Sequence, residues 1–144
     1  MNKLRVDQLL VTSCVFCIIL IVAGVFYLSW IPSPQLTQLG WMPHWLGEWA
    51  DRFGRLRTGV PFVVIGLLAG LLLRIFKRKP IDWGLAFLFL TCVVMTAELG
   101  QSSLSLRVVD WQDVAWGMVG SAVGMGIIKF ASLQCSVFRR RGEF

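Results

Sequence analysis

Residues 9 to 30 read LLVTSCVFCIILIVAGVFYLSW, an uncharged run from Leu9 to Trp30. A helix needs roughly 20 apolar residues to cross the hydrocarbon core of a bilayer. This run meets that length with no charge to desolvate. Lys3 and Arg5 precede it, as in a signal sequence, but no small-x-small cleavage site follows. It is therefore expected to be an uncleaved first transmembrane helix. Trp30 and Pro32 mark its exit, an interfacial aromatic followed by a helix breaker.

The rest of the chain agrees with that start. Of 144 residues, 56% are hydrophobic and 15% are charged. A soluble domain carries about 45–50% apolar and about 25% charged residues. Three further apolar runs follow: Val60 to Leu73, extended by Ile75 and Phe76; Trp83 to Ala97; and Val114 to Ile128, continuing past Lys129. The expected fold is a single all-α membrane domain over residues 1–144. It has about four transmembrane helices, near 9–30, 58–76, 82–99 and 113–133, with a basic tail at 139–144. Such a chain leaves no room for a separate soluble catalytic domain.

Between the first two spans the pattern changes. Trp41, Trp45, Trp49 and Phe53 follow one another at intervals of four, which places all four rings on one helical face. His44, Glu48, Asp51, Arg52 and Arg55 fill the other positions, and Pro43 suits a first turn. The segment near 42–55 is expected to be an amphipathic helix lying in the membrane interface. Docking of a partner protein is the alternative reading of that helix.

Small residues recur in two spans: Gly66 and Gly70 in the second, and Gly117, Gly120, Ser121 and Gly124 in the last. In lipid such residues let helix backbones approach closely. They are expected to pack an intramolecular bundle, the alternative being a homodimer.

The net charge of +6 is distributed unevenly. With both termini cytoplasmic, the cytoplasmic side holds Lys3, Arg5, Arg74, Lys77, Arg78, Lys79, Lys129, Arg139, Arg140 and Arg141, ten of the 14 basic residues. Arg52, Arg55, Arg57 and Arg107 fall opposite, together with Glu48, Asp51, Glu98, Asp110 and Asp113. This obeys the positive-inside rule. The basic clusters are thus topology signals, and no nucleic-acid partner is expected.

Ionisable groups at the ends of spans are costly, and usually paired or functional. Glu98 closes the third apolar run and Asp113 opens the fourth. Glu98 and Gln101 share a helical face; Arg107, Asp110 and Asp113 form one stripe if that stretch is helical. These five are the candidate ligand-binding residues. One reading makes them a site in which the acids accept hydroxyl protons or hydrogen bonds and Arg107 grips a phosphate or carboxylate. The other makes Asp113 a helix cap and Arg107 a strut to Glu98 or Asp110. Cys14 and Cys17 lack a second ligand pair, and His44 is the only histidine. No metal, haem or other cofactor is expected.

The order Glu98, Gln101, Arg107, Asp110, Asp113, Gly120, Gly124 resembles the VanZ-like family of small bacterial membrane proteins. The likeness covers roughly residues 50 to 130, and Arg55, Thr58, Phe62, Ile65 and Gly66 stand where that family has its usual second-span series. Two positions depart from it: the family's frequent histidine is Thr58 here, and its asparagine is Gly117. The resemblance implies a small protein of the bacterial inner membrane, and a fold more than a reaction.

The function expected is binding of a lipid-linked or glycan-type envelope molecule at the outer face. Trp41, Trp45, Trp49 and Phe53 would form a flanking interfacial platform. The alternative is an accessory subunit of a larger membrane complex, of energy-converting or secretion type, without catalysis of its own. A transporter or channel would need an oligomer, since the spans carry almost no interior charge. Spacing alone does not decide whether any bond is made or broken.

Overall fold

A computed structural model of the chain describes residues 3–31, 35–101 and 110–141, with the side chains of 3–4, 55 and 135–141 left aside. The described residues form α-helices and one short 3-10 turn, with no strand. The helices are α1 (Lys3–Ser29), α2 (His44–Arg52), α3 (Gly54–Ile75), α4 (Pro80–Gln101) and α5 (Trp111–Arg141); the turn is Leu36–Gln38. Four of them are long and apolar enough to cross a membrane, over Arg5–Ser29, Leu56–Ile75, Pro80–Gln101 and Trp111–Gln134. The protein is an all-α, multi-pass membrane protein. Leu9, Phe16, Ile19 and Tyr27 of α1, Leu85, Leu88 and Phe89 of α4, and Val119, Val123 and Ile127 of α5 are all exposed. That much bare apolar surface on span-length helices suits contact with lipid.

Helices α3 and α5 form the closest pair, and glycines set their distance. A methyl group built at Gly66 would stand 2.6 Å from the Ser121 carbonyl oxygen. One at Gly120 would run into the Gly59 carbonyl, and one at Gly124 into the Val63 carbonyl and, at 2.7 Å, the Leu67 nitrogen. A methyl at Gly70 would press on the Ile128 side chain, 3.1 Å from its Cβ, while Gly117 faces Val94 of α4. The small faces are thus mated within the chain. Ser121 is fully buried here and returns its hydroxyl to the Gly117 carbonyl, 3.0 Å away. Phe62, Ile65, Leu90, Val94, Val114 and Met125 fill the space between α3, α4 and α5.

The helix ends are fastened by local chemistry. Pro80 occupies the first turn of α4, where its missing N–H costs nothing, and the Asp82 carboxylate accepts the Lys79 N–H at 2.9 Å. At the end of α3, Lys77 takes φ 49°, and the Arg78 and Lys77 amides donate to the Leu73 and Arg74 carbonyls. This is a Schellman closure built on a lysine instead of the usual glycine. Helix α1 is the least packed. Its last turn is held by Trp30, whose indole N–H donates to the Ala97 carbonyl at 3.3 Å and whose ring lies flush on Gly100.

The aromatic stripe between the first two spans is only partly one helical face. Helix α2 begins after Pro43 and stops at Arg52, so Trp45 and Trp49 lie on it while Trp41 and Phe53 flank it. Phe53 has φ −116° and ψ 52°, outside the helical region, and this break separates α2 from α3. Trp41 packs on Tyr27 of α1, ring centroids 6.1 Å apart. The expectation of four rings along one helix is corrected accordingly. A residue interval of four gives a shared face only while the backbone stays helical. Glu48 lies 3.5 Å from His44, an exposed i,i+4 pair.

Asp51 ties α2 to the preceding turn. Its carboxylate accepts the Leu36 N–H at 2.8 Å, the Thr37 N–H at 3.1 Å and the Thr37 hydroxyl at 2.8 Å. Burial acts to raise the pKa of this carboxyl. The three hydrogen bonds and the nearby Arg57 charge outweigh it and hold the group below its ordinary 3.8. Gly47 lets the turn lie directly on α2, since a methyl there would stand 2.9 Å from the Thr37 Cα.

Candidate functional site

At the end of the bundle where α2 meets α3, and where α4 ends and α5 begins, polar side chains converge. A cleft of about 690 Å³ is lined by Arg52, Phe53, Gly54, Leu56, Arg57, Asp110, Asp113 and Trp116. Beside it lies a cavity of about 40 Å³ lined by Val25, Leu28, Ser29, Arg57, Thr58, Pro61, Glu98, Gln101 and Asp113. Arg57 and Asp113 belong to both.

Each polar group is placed by its own element. Asp110 stands immediately before α5, and its Oδ1 accepts the Gln112 N–H at 2.8 Å while its carbonyl accepts from Asp113 and Val114. It is the N-cap. The reading that gave this role to Asp113 is corrected. Asp113 is in the first turn, where its charge favours the helix dipole, and it lines both cavities.

Glu98 and Gln101, on the last turns of α4, are both buried, at 3% and 6% exposure. Asp113, Asp110 and Arg57 all act electrostatically on the Glu98 carboxylate, and the Asp110 backbone N–H donates to it. Its Oε2 has no hydrogen-bond partner among the described residues. On α3, Pro61 returns no N–H to the Arg57 carbonyl one turn earlier. Proline is tolerated in a span where neighbouring groups can satisfy the freed carbonyl.

Of the five residues expected to bind a ligand, Glu98, Gln101, Asp110 and Asp113 are brought together here. Arg107 lies outside the described residues. Two cationic members are not among the residues the sequence singles out for binding: Arg57, which counts there toward membrane orientation, and Arg52, which counts toward orientation and the polar face of the interfacial helix. The signal for Arg57 was present: it stands three residues before the apolar run that opens at Val60, and a proline follows four residues later. Of the aromatic platform, Phe53 lines the cleft and Trp41, Trp45 and Trp49 do not. Thr58 lines the small cavity, whereas Phe62 and Ile65 are fully buried core residues.

The arrangement offers two guanidinium groups, two carboxylates and the faces of Phe53 and Trp116 in the cleft, with a third carboxylate, Glu98, in the adjoining small cavity. Among the described residues no group of three or more histidine, cysteine, aspartate or glutamate side chains is placed to hold a metal ion. The described cysteines, Cys14, Cys17 and Cys92, are free thiols. No family model, curated protein or solved structure matches the chain.

Proposed function

We propose that this is a cell-envelope protein of the bacterial inner membrane that binds a lipid-linked or glycan-type envelope molecule at the outer face. The observation that supports it is the cleft of about 690 Å³ at the end of the spans, lined by Arg52 and Arg57 as well as Asp110 and Asp113. Its volume falls in the range of ligand sites, about 300–1,000 Å³. Arginine pairs bidentately with phosphate or carboxylate, the acids accept hydroxyl groups, and Trp116 and Phe53 offer flat apolar faces.

The outer location rests on charge. Lys77, Arg78 and Lys79 lie in the α3–α4 connection, at the opposite end of α3 from Arg57. The positive-inside rule puts that connection, and with it both termini, in the cytoplasm. The likeness of residues 50 to 130 to the VanZ-like family belongs to the same proposal.

The test is native purification from the source membrane in mild detergent, with mass spectrometry of what travels with the chain. The wild type is expected to carry an envelope lipid or glycan. Arg57→Gln is expected to lose that molecule at unchanged protein abundance. Stoichiometric recovery with other subunits and no bound small molecule would favour an accessory subunit instead.

A further inference from the structure

The small cavity beside the cleft has a chemistry of its own. At about 40 Å³ it takes one group of water size and little more. Its walls hold two carboxylates, Glu98 and Asp113, against one guanidinium, Arg57, so they carry a net negative charge, and Ser29, Thr58 and Gln101 add neutral acceptors. Glu98 is almost completely buried, and its Oε2 has no donor among the described residues. Pro61, in the same wall, leaves the Arg57 carbonyl without its helical donor. A buried carboxylate oxygen without a donor is strongly unfavourable, so the cavity suits a group that brings N–H or O–H bonds, and a positive charge best of all.

The adjoining cleft adds a second requirement. Arg52 and Arg57 face a recess that also holds Asp110 and Asp113, two charges of each sign. A ligand of a single sign would meet repulsion from one pair. A ligand with an anion for the arginines and a cation for the carboxylates meets none. Phe53, Leu56 and Trp116 supply apolar surface in the same recess, at the edge of the membrane, which favours a ligand anchored in lipid.

We propose that the Glu98 cavity is the subsite for a primary ammonium group, and that the headgroup it selects is a lipid-borne phosphoethanolamine whose phosphate rests on Arg52 and Arg57. The proposal rests on the reading of the cleft as an envelope-ligand site and specifies its ligand. The ammonium donates to Glu98 Oε2 and neutralises the buried carboxylate. Three N-methyl groups would remove every donor and exceed the cavity.

The full chain, purified in mild detergent, is titrated with phosphatidylethanolamine, phosphatidylcholine and phosphatidylglycerol of matched acyl chains, and binding is read by native mass spectrometry. Phosphatidylethanolamine is expected to bind about tenfold more tightly than either of the others, the scale of one charge-assisted hydrogen bond. Glu98→Gln is expected to bring the three lipids near parity. Equal binding of all three by the wild type overturns the subsite without recourse to any variant. If that equal binding is lost in Arg57→Gln, the envelope-ligand reading survives; if none of the lipids binds, the subsite falls, and the envelope-ligand reading falls with it only if the natively purified chain also carries no envelope lipid or glycan. An ethanolamine preference unchanged in Glu98→Gln also overturns the assignment. Free phosphoethanolamine binding as tightly as the lipid would overturn the membrane source.

Discussion

At the scale of single residues, the polar groups outside the spans divide by what they are bonded to. Asp51 is exposed, yet its carboxylate takes three hydrogen bonds from Leu36 and Thr37. These, with Arg57, hold its pKa below 3.8 against the opposing effect of burial. A depressed carboxyl contributes stability that is complete above its unfolded value and is lost as the pH falls through the folded one. The tie between α2 and the turn at Leu36–Gln38 is therefore expected to be constant from about pH 5 to 8 and to weaken below about pH 4. Hydrogen exchange at the Leu36 and Thr37 amides reads this directly. Asp51→Asn at neutral pH is expected to speed that exchange by about tenfold, the size of a charge-assisted bond lost at a surface. Unchanged exchange would mean that the turn is held by Gly47 packing alone. Asp51 and Asp110 look alike in sequence as acids near a span; only their donors show that one clamps a turn and the other caps a helix.

At the scale of elements, the α3–α5 crossing decides where every other part lies. Gly120 and Gly124 meet backbone atoms of α3, not the flexible ends of side chains. Backbone cannot step aside, so a methyl group there forces the helices apart. Gly124→Ala is expected to destabilise the fold by about 1–3 kcal/mol, the usual cost of overpacking. Gly84→Ala meets nothing within 4 Å and is expected to be neutral or to gain up to about 1 kcal/mol from helix propensity. Thermal unfolding of both variants in one detergent makes the comparison. A neutral Gly124→Ala would show that α3 and α5 are not closely paired. The small-residue spacing was visible in sequence, and it identified the packing faces; the partner of each face was not, because a glycine stripe fits any other glycine stripe.

At the scale of the whole molecule, four apolar helices make a multi-pass membrane protein, and the distribution of charge carries the proposed orientation. The connection holding Lys77, Arg78 and Lys79 is proposed to be cytoplasmic, and the cleft between α2, α3 and α5 to face outward. A cysteine placed at Lys79 in a background lacking the native thiols is expected to resist membrane-impermeant maleimide in intact cells, while one at Trp45, 70% exposed on α2, is expected to react. The opposite labelling pattern would put the cleft in the cytoplasm and remove the outer-face ligand. The two ends of the molecule differ in kind as well as in sign. Arg74, Lys77, Arg78 and Lys129 gather at one end, whereas the other holds arginines and carboxylates together.

That the chain crosses a membrane, where the spans lie and that acidic groups crowd one edge are all legible in the residue order. These follow from transfer free energies, which add residue by residue along each run and need no knowledge of neighbours. Tertiary structure alone decided that Arg57 and Arg52 share a recess with those acids, that Glu98 is buried with one oxygen lacking a donor, and that Asp110 takes the cap of α5. It also ended α2 at Arg52 and left Trp41, Trp45 and Trp49 away from the cleft. Such outcomes depend on how each helix is rotated about its axis and how closely it meets the next. Here that rotation is fixed by glycines of α5 seated on the backbone of α3, a contact between residues some sixty positions apart.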